Sequence, residues 1–351
     1  MKKVIFIIPC IGSGGAERVV VNLCNELSKR EYEVGIITLL SNEEQYQLSR
    51  MVKHYYLGET SSSKIIRVFQ RFTRLRKLVK RIKPDVVIAF DRNYGITSCL
   101  GLKCRIIGSE RNDPYSNMKK NSPQKIFRDW LYRKADIIVF QTEYAKKYFG
   151  HEIQLKSVII PNPVNTSYLP TPYTGARKPQ IVTACRLTEQ KNLPMMIEAF
   201  ASFNKLYPEY SLVIFGEGHL LDKLKRYAEI MGVGKKVFFP GYVKDLHERI
   251  NSATMYVSSS DYEGISNSML EAMAIGLPVI CTDCPAGGAA MVIQNGINGY
   301  LIPVKQPDAM MRAMCKVVEE KSHTLAISHK AVEVRKKYSI QEITDKWEKV
   351  L

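Results

Sequence analysis

At 351 residues, with 45% apolar and 24% charged side chains, the chain has the length of two ordinary domains and the composition of a globular protein. No apolar run approaches the roughly 18 residues that cross a bilayer, so no transmembrane helix is expected. The net charge of +17 is lopsided: residues 1–170 hold 29 Lys/Arg against 15 Asp/Glu, residues 171–351 hold 22 against 19, and the first half should therefore attract anionic partners.

Apolar strand-like runs alternate with helical patterns throughout, which predicts βαβ units around parallel sheets. Lys2 and Lys3 precede Val4–Ile8, but that run is too short for a signal peptide and leads into glycines, so Lys3–Ile8 reads as a buried first strand. Further strands are predicted at Glu33–Leu39, Val86–Phe90, Arg105–Ser109, Ile137–Gln141 and Ser157–Ile160, with helices at Gly15–Lys29, Ile65–Ile82 and Gln124–Lys134. Prolines 161, 163, 170, 172 and 179 then mark a linker, placed at 169–179 between a first domain of 1–168 and a second of 180–337. The second half is predicted to run as strand Gln180–Cys185, helix Asn192–Leu206, strand Ser211–Phe215, helix Leu220–Met231 and strands Val237–Phe239 and Met255–Ser258. A helix carrying Glu271, strand Pro278–Thr282 and helix Pro307–Glu319 follow. Residues 338–351 close the chain as an amphipathic helix.

Eight cysteines show no metal-ligand cluster; Cys281 and Cys284 have C-x-x-C spacing but no second pair. Free thiols without an export signal suit a reducing cytosol. Lys64–Lys83 holds nine Lys/Arg and no acid. Ile65, Val68, Phe69, Phe72, Leu75, Val79 and Ile82 recur in it at helical spacing, which fits either a crossover helix packed on its sheet or a membrane-surface helix. Nucleic acid is not expected as a partner, since no recognition module or aromatic interleaving accompanies the charge.

Several groups are candidates for chemistry. Gly12, Gly14 and Gly15 lie between the first strand and helix, where backbone N–H groups can approach a diphosphate; a tight turn that binds nothing is the other reading. Glu17 stands where a G-x-G-x-x-G dinucleotide fingerprint needs a small residue. Arg186 and Lys191 follow the first strand of the second half, where α/β sheets bind ligands, and can neutralise a nucleotide diphosphate. No D-x-D motif occurs, so no metal and no cofactor are expected. Glu263 and Glu271 stand eight positions apart, on a loop and inside a helix that Asn267 is expected to cap. Glu271 can accept two hydrogen bonds from a vicinal diol.

The segment Glu263 to Val279 resembles the E-x7-E signature of family 4 retaining glycosyltransferases. Gly12 to Arg18, Arg186 to Asn192, Gly216-Glu217-Gly218, Pro240 to Val243 and Asn295 to Tyr300 match in the family's order. The resemblance covers nearly the whole chain. It implies the α/β GT-B fold: two Rossmann-like, doubly wound parallel-sheet domains facing across a cleft, the C-terminal helix crossing back to the first. It also implies a metal-independent hexosyl transfer from a nucleotide diphosphate sugar, expected to be a UDP-sugar, to a glycan or lipid-linked glycan in cell-surface polysaccharide or lipopolysaccharide synthesis. A protein doing this would be cytoplasmic, attached to the inner face of the plasma membrane through its basic first domain.

Residue by residue, the resemblance makes Glu263, Arg186 and Lys191 catalytic. The donor would be bound by Gly14, Gly15, Gly216, Tyr242, Val243, Glu271 and the segment Gly264, Ile265, Ser266, Asn267. On the acceptor side Glu110, Arg111 and Asn112 follow a strand end, with Arg111 where family members have a histidine; Asp91 follows another. Arginine stays protonated and cannot serve as a base, so it would instead bind an acceptor phosphate or stabilise the leaving diphosphate. A nucleotide-sugar 2-epimerase and a sugar-nucleotide-binding protein without catalysis share this fold and stay open.

Overall fold

The computed structural model describes residues 1–12, 14–41, 46–58, 63–111, 113–114 and 122–351, apart from the side chains of Lys64 and Arg92. The chain forms two compact units, Met1–Pro163 with Ile340–Leu351, and Val164–Ser339.

The first unit is built on seven parallel strands: β1 (Lys2–Ile8), β2 (Tyr32–Thr38), β3 (Lys53–Tyr56), β4 (Val86–Ala89), β5 (Arg105–Glu110), β6 (Ile137–Phe140) and β7 (Ser157–Ile159). Their order is β3-β2-β1-β4-β5-β6-β7. All four residues of β4 are buried, as expected of a central strand covered on both faces. Helices Lys64–Ile82, Arg92–Cys99 and Pro123–Lys134 connect β3 to β4, β4 to β5 and β5 to β6. Helix Ile340–Glu348 belongs to this unit: Trp347 is fully buried and stacks on Phe90 with centroids 6.2 Å apart, while Arg30 pairs with Asp345 at 2.6 Å and with Glu348.

The second unit has six parallel strands: β8 (Lys178–Ala184), β9 (Ser211–Phe215), β10 (Val237–Gly241), β11 (Ala253–Ser258), β12 (Val279–Asp283) and β13 (Tyr300–Pro303). The order β10-β9-β8-β11-β12-β13 is the doubly wound arrangement whose direction reverses between β8 and β11. Helix Leu193–Leu206 buries Met196, Ile197, Phe200 and Phe203 against this sheet, and Leu212, Ile214, Met255 and Val257 complete the core. Val164 donates from its N–H to the Tyr338 carbonyl at 2.6 Å, and this contact ties residues 164–168 to the second unit rather than to the first. Both units are thus Rossmann-like parallel-sheet domains. No described helix is long and apolar enough to cross a membrane.

Candidate active site

Ligands of doubly wound sheets bind beyond the C-terminal ends of the strands at the point of reversal. In the second unit the segments that follow β8 and β11 there are Arg186–Lys191 and Ser259–Glu263. Lys191 Nζ forms an ion pair with Glu263 Oε2, to which Ser260 Oγ also donates at 3.2 Å. The two loops are tied at several points. Gln190 Nε2 donates to the Tyr262 carbonyl at 2.8 Å, Asn192 Nδ2 to Asp261 Oδ1 at 2.8 Å and Ser259 Oγ to the Lys191 carbonyl at 2.7 Å. Asn192 adopts the left-handed region at φ 40°, which turns the chain from the loop into its helix. Arg186 is exposed, and its guanidinium makes no hydrogen bond or ion pair among the described residues. The Glu189 carboxylate in the same loop pairs with His219 at 2.9 Å.

The loop carrying Glu263 is fixed from below. Glu263 N donates to the Pro285 carbonyl at 3.0 Å, and a Cβ placed on Gly288 would stand 1.9 Å from the Gly264 carbonyl oxygen. Only a residue without a side chain permits that approach. The helix then begins at Asn267, but its cap is Ser266 and not Asn267. Ser266 is extended, at φ −73° and ψ 122°, and its Oγ accepts from Met269 N at 3.3 Å. Ile265 is buried beside it. Glu271, only 3% exposed, points inward. Tyr168 OH donates to its Oε1 at 3.2 Å and His247 Nε2 lies 3.0 Å from its Oε2, with the two rings 5.7 Å apart.

Gly216 sits at φ 116°, where a Cβ would meet the Cys185 carbonyl at 2.0 Å, and its N–H donates to the Gly241 carbonyl at 2.9 Å. That bond brings the loop of Tyr242, exposed, and Val243, half-buried, next to the Gly216 turn. A small recess lined by Cys185, Lys191, Tyr256, Ser258, Ser260 and Ser266 lies under the ion pair. Burial pushes the Cys185 thiol up to about 11, with Lys191 opposing. Burial, with the nearby Glu263 carboxylate adding to it, also raises Cys281 and Cys284, and both are free thiols. Among the described residues no group of three His, Cys, Asp or Glu side chains could hold a metal ion.

The first unit places the other candidates differently. Gly14 precedes helix Gly15–Leu27 in an extended conformation, and Glu17 folds back over it, with Oε2 2.0 Å from where a Gly14 Cβ would be. The turn therefore already faces a carboxylate. Asp91 caps helix Arg92–Cys99, accepting from Tyr94 N at 3.1 Å. Glu110 is buried and accepts from Tyr132 OH at 2.9 Å. Arg111 lies over the rings of Phe90 and Trp347, at 4.8 and 5.6 Å, and donates to Ser109 Oγ at 2.8 Å and Asn162 Oδ1 at 3.1 Å. Burial holds its guanidinium down to about 9 and leaves Nη2 without a hydrogen-bond partner. Asn112 lies outside the described residues. Sequence reasoning did not find Tyr168, His247 or Ser260, which no motif marks.

Two doubly wound sheets, the second with cations and a carboxylate at its reversal point, place the chain among two-domain α/β folds that bind ligands beyond their strand ends. Residues 13–168 match the family described as Glycosyltransferase Family 4, and residues 174–334 match Glycosyl transferases group 1. The two matches tile the chain, which belongs to the family 4 glycosyltransferases. An uncharacterized glycosyltransferase of Haemophilus influenzae is 27% identical, covering 100% of both chains. GalNAc-alpha-(1->4)-GalNAc-alpha-(1->3)-diNAcBac-PP-undecaprenol alpha-1,4-N-acetyl-D-galactosaminyltransferase of Campylobacter jejuni is 28% identical, covering 100% of this chain and 98% of its own. Among solved structures, Anabaena HepE in complex with UDP and glucose superposes with a TM-score of 0.84 at 14% identity, over 100% of this chain and 99% of that one. S. aureus TarM gives 0.83 at 16% identity, over the same shares. These two likenesses show the GT-B fold.

Proposed function

We propose that the protein is a retaining glycosyltransferase that moves a sugar from a UDP-sugar to a lipid-linked glycan during cell-surface polysaccharide synthesis, at the inner face of the plasma membrane. The observation that carries this reading is the pairing of Lys191 with Glu263 beside the unpartnered Arg186, all at the reversal point of the second sheet. Breaking the glycosidic bond builds negative charge on the leaving diphosphate. Arg186 and Lys191 neutralise that charge, a role a divalent ion fills in other transferases. In exchange for Lys191, Glu263 and the N–H groups of Gly264 to Asn267 take the hydroxyls of the transferred sugar. Glu271 takes the ribose diol, while the Gly216 and Tyr242–Val243 turns flank the base. The acceptor attacks on the face that the diphosphate leaves, and a phosphate oxygen receives its proton. Arg111 would lie on the acceptor side. The name of the Campylobacter relative, which specifies a diphospho-undecaprenol glycan, supports a lipid-linked acceptor.

Arg186→Ala and Lys191→Ala should each cut turnover about a hundredfold or more, with the melting temperature held, as removal of a preorganised donor to a developing oxyanion does. The product of wild-type turnover should keep the donor's anomeric configuration by NMR and should form in excess EDTA. Near-normal rates in either variant would remove the diphosphate assignment. Activity lost to chelation and restored by manganese would remove the metal-independent chemistry.

A further inference from the structure

The helix Lys64–Ile82 does not have a uniform environment. Its second half is core: Leu75 and Val79 are at most 1% exposed. Its first two turns carry the same apolar stripe into solvent, with Ile65 83%, Val68 54% and Phe69 67% exposed, and Ile66 beside the stripe is 50% exposed. The neighbouring helix shows why. Arg71 meets the Tyr94 hydroxyl at 3.4 Å and Arg76 the Ser98 carbonyl at 3.0 Å, so helix Arg92–Cys99 runs alongside from residue 71 onward and stops short of the first two turns. On the other side of that short helix packs Pro123–Lys134. Its opening turns expose Ile126 at 63%, Phe127 at 44% and Trp130 at 41%, with the Phe127 and Trp130 rings stacked 5.9 Å apart. All three helices follow strands of one parallel sheet, so they start at the same edge.

We infer that these two helix starts form one docking surface for an anionic lipid bilayer, into whose interface Ile65, Ile66, Phe69, Ile126, Phe127 and Trp130 insert. Charge selects the occupant. Residues 64–83 hold nine Lys/Arg without one acid, which suits anionic headgroups around an apolar stripe. A second copy of the chain would bring those cations against themselves. A stacked Phe and Trp at the rim suit the headgroup level, where an amphipathic ring has apolar and wet neighbours. The inference gives the membrane partner of the reading above a location, and its test needs neither donor nor acceptor.

The chain has two tryptophans, and Trp347 is fully buried, so Trp130 reports alone on the surface. With vesicles of equal phosphatidylglycerol and phosphatidylcholine at low salt, tryptophan emission should shift to the blue and be quenched by acyl-chain-brominated lipid. Trp130→Phe should abolish both signals. Ile65→Ser with Phe69→Ser should weaken vesicle binding about tenfold for each side chain replaced. Equal binding to phosphatidylcholine alone, binding without quenching, or dimerisation in sedimentation with no vesicle binding would each overturn the inference. The rise in melting temperature with UDP, read on the same variants, separates the two proposals. If it persists while vesicle binding is lost, the fold is intact and the surface is confirmed. If it is absent from the wild type, which still binds vesicles, the donor reading fails and this one holds.

Discussion

Gly288→Ala tests whether the position of the Glu263 loop matters. The added methyl would stand 1.9 Å from the Gly264 carbonyl oxygen and 2.5 Å from Ile265 N, both backbone atoms that no rotamer change can move away. Ordinary contact begins near 3.4 Å, so one backbone must retreat by roughly 1.5 Å. Overpacking of this kind costs about 1–3 kcal/mol. For a unit of this size that lowers its melting temperature by on the order of 5 °C. The larger effect should be functional, because the atoms that move carry Glu263. A misplacement near 1 Å at a reacting centre costs about a hundredfold in turnover. Calorimetry with UDP-sugars, initial rates and thermal unfolding should be compared with Gly150→Ala, where a Cβ meets nothing within 4 Å at φ −62°. That control should bind, turn over and melt as the wild type does. Gly288→Ala with the melting fall but wild-type affinity and rate would refute the reasoning, since the loop would then have moved without consequence.

Other perturbations follow from the same geometry. His247→Ala removes the donor that holds Glu271 Oε2 at 3.0 Å, and donor affinity should fall about tenfold by calorimetry while His247→Gln recovers part of it; unchanged affinity in both would detach Glu271 from the donor. Arg111→Lys loses the fork that reaches Ser109 and Asn162 and the stack on Phe90 and Trp347, so denaturant unfolding should show about 1–3 kcal/mol of lost stability. Alkylation of the native protein at pH 8 should label Cys104 well before Cys185. The hydrogen bond from Cys99 lowers the Cys104 thiol, whereas burial pushes Cys185 up to about 11 and leaves roughly one thiolate in a thousand. Labelling of Cys185 should therefore climb with each step of pH toward 11, and rapid labelling of Cys185 at pH 8 in mass spectra would contradict its burial.

What the chain disclosed before its structure was known depended on how local the cause was. Val86–Ala89 could be read as a strand because all of it is buried apolar residue, and Lys53–Tyr56 could not, because an edge strand of half-exposed Lys, His and Tyr carries no apolar run. The stripe from Ile65 to Ile82 was legible as a face but not in its fate, since that depends on where the neighbouring helix ends. Spacing also placed Glu263 on a loop and Glu271 in a helix. The partners of those carboxylates were out of reach: Tyr168 is 103 residues from Glu271, and His247 is 24. Harder still are the bonds that hold the two loops together, such as Gln190 to the Tyr262 carbonyl across 72 residues. Every residue offers a carbonyl, so neither sequence position shows that the other is its partner. The part of the site that fixes Lys191 against Glu263 is therefore made of contacts with no signature in residue type. A substitution at Ser259, which donates to the Lys191 carbonyl, would loosen it while leaving every recognisable motif in place.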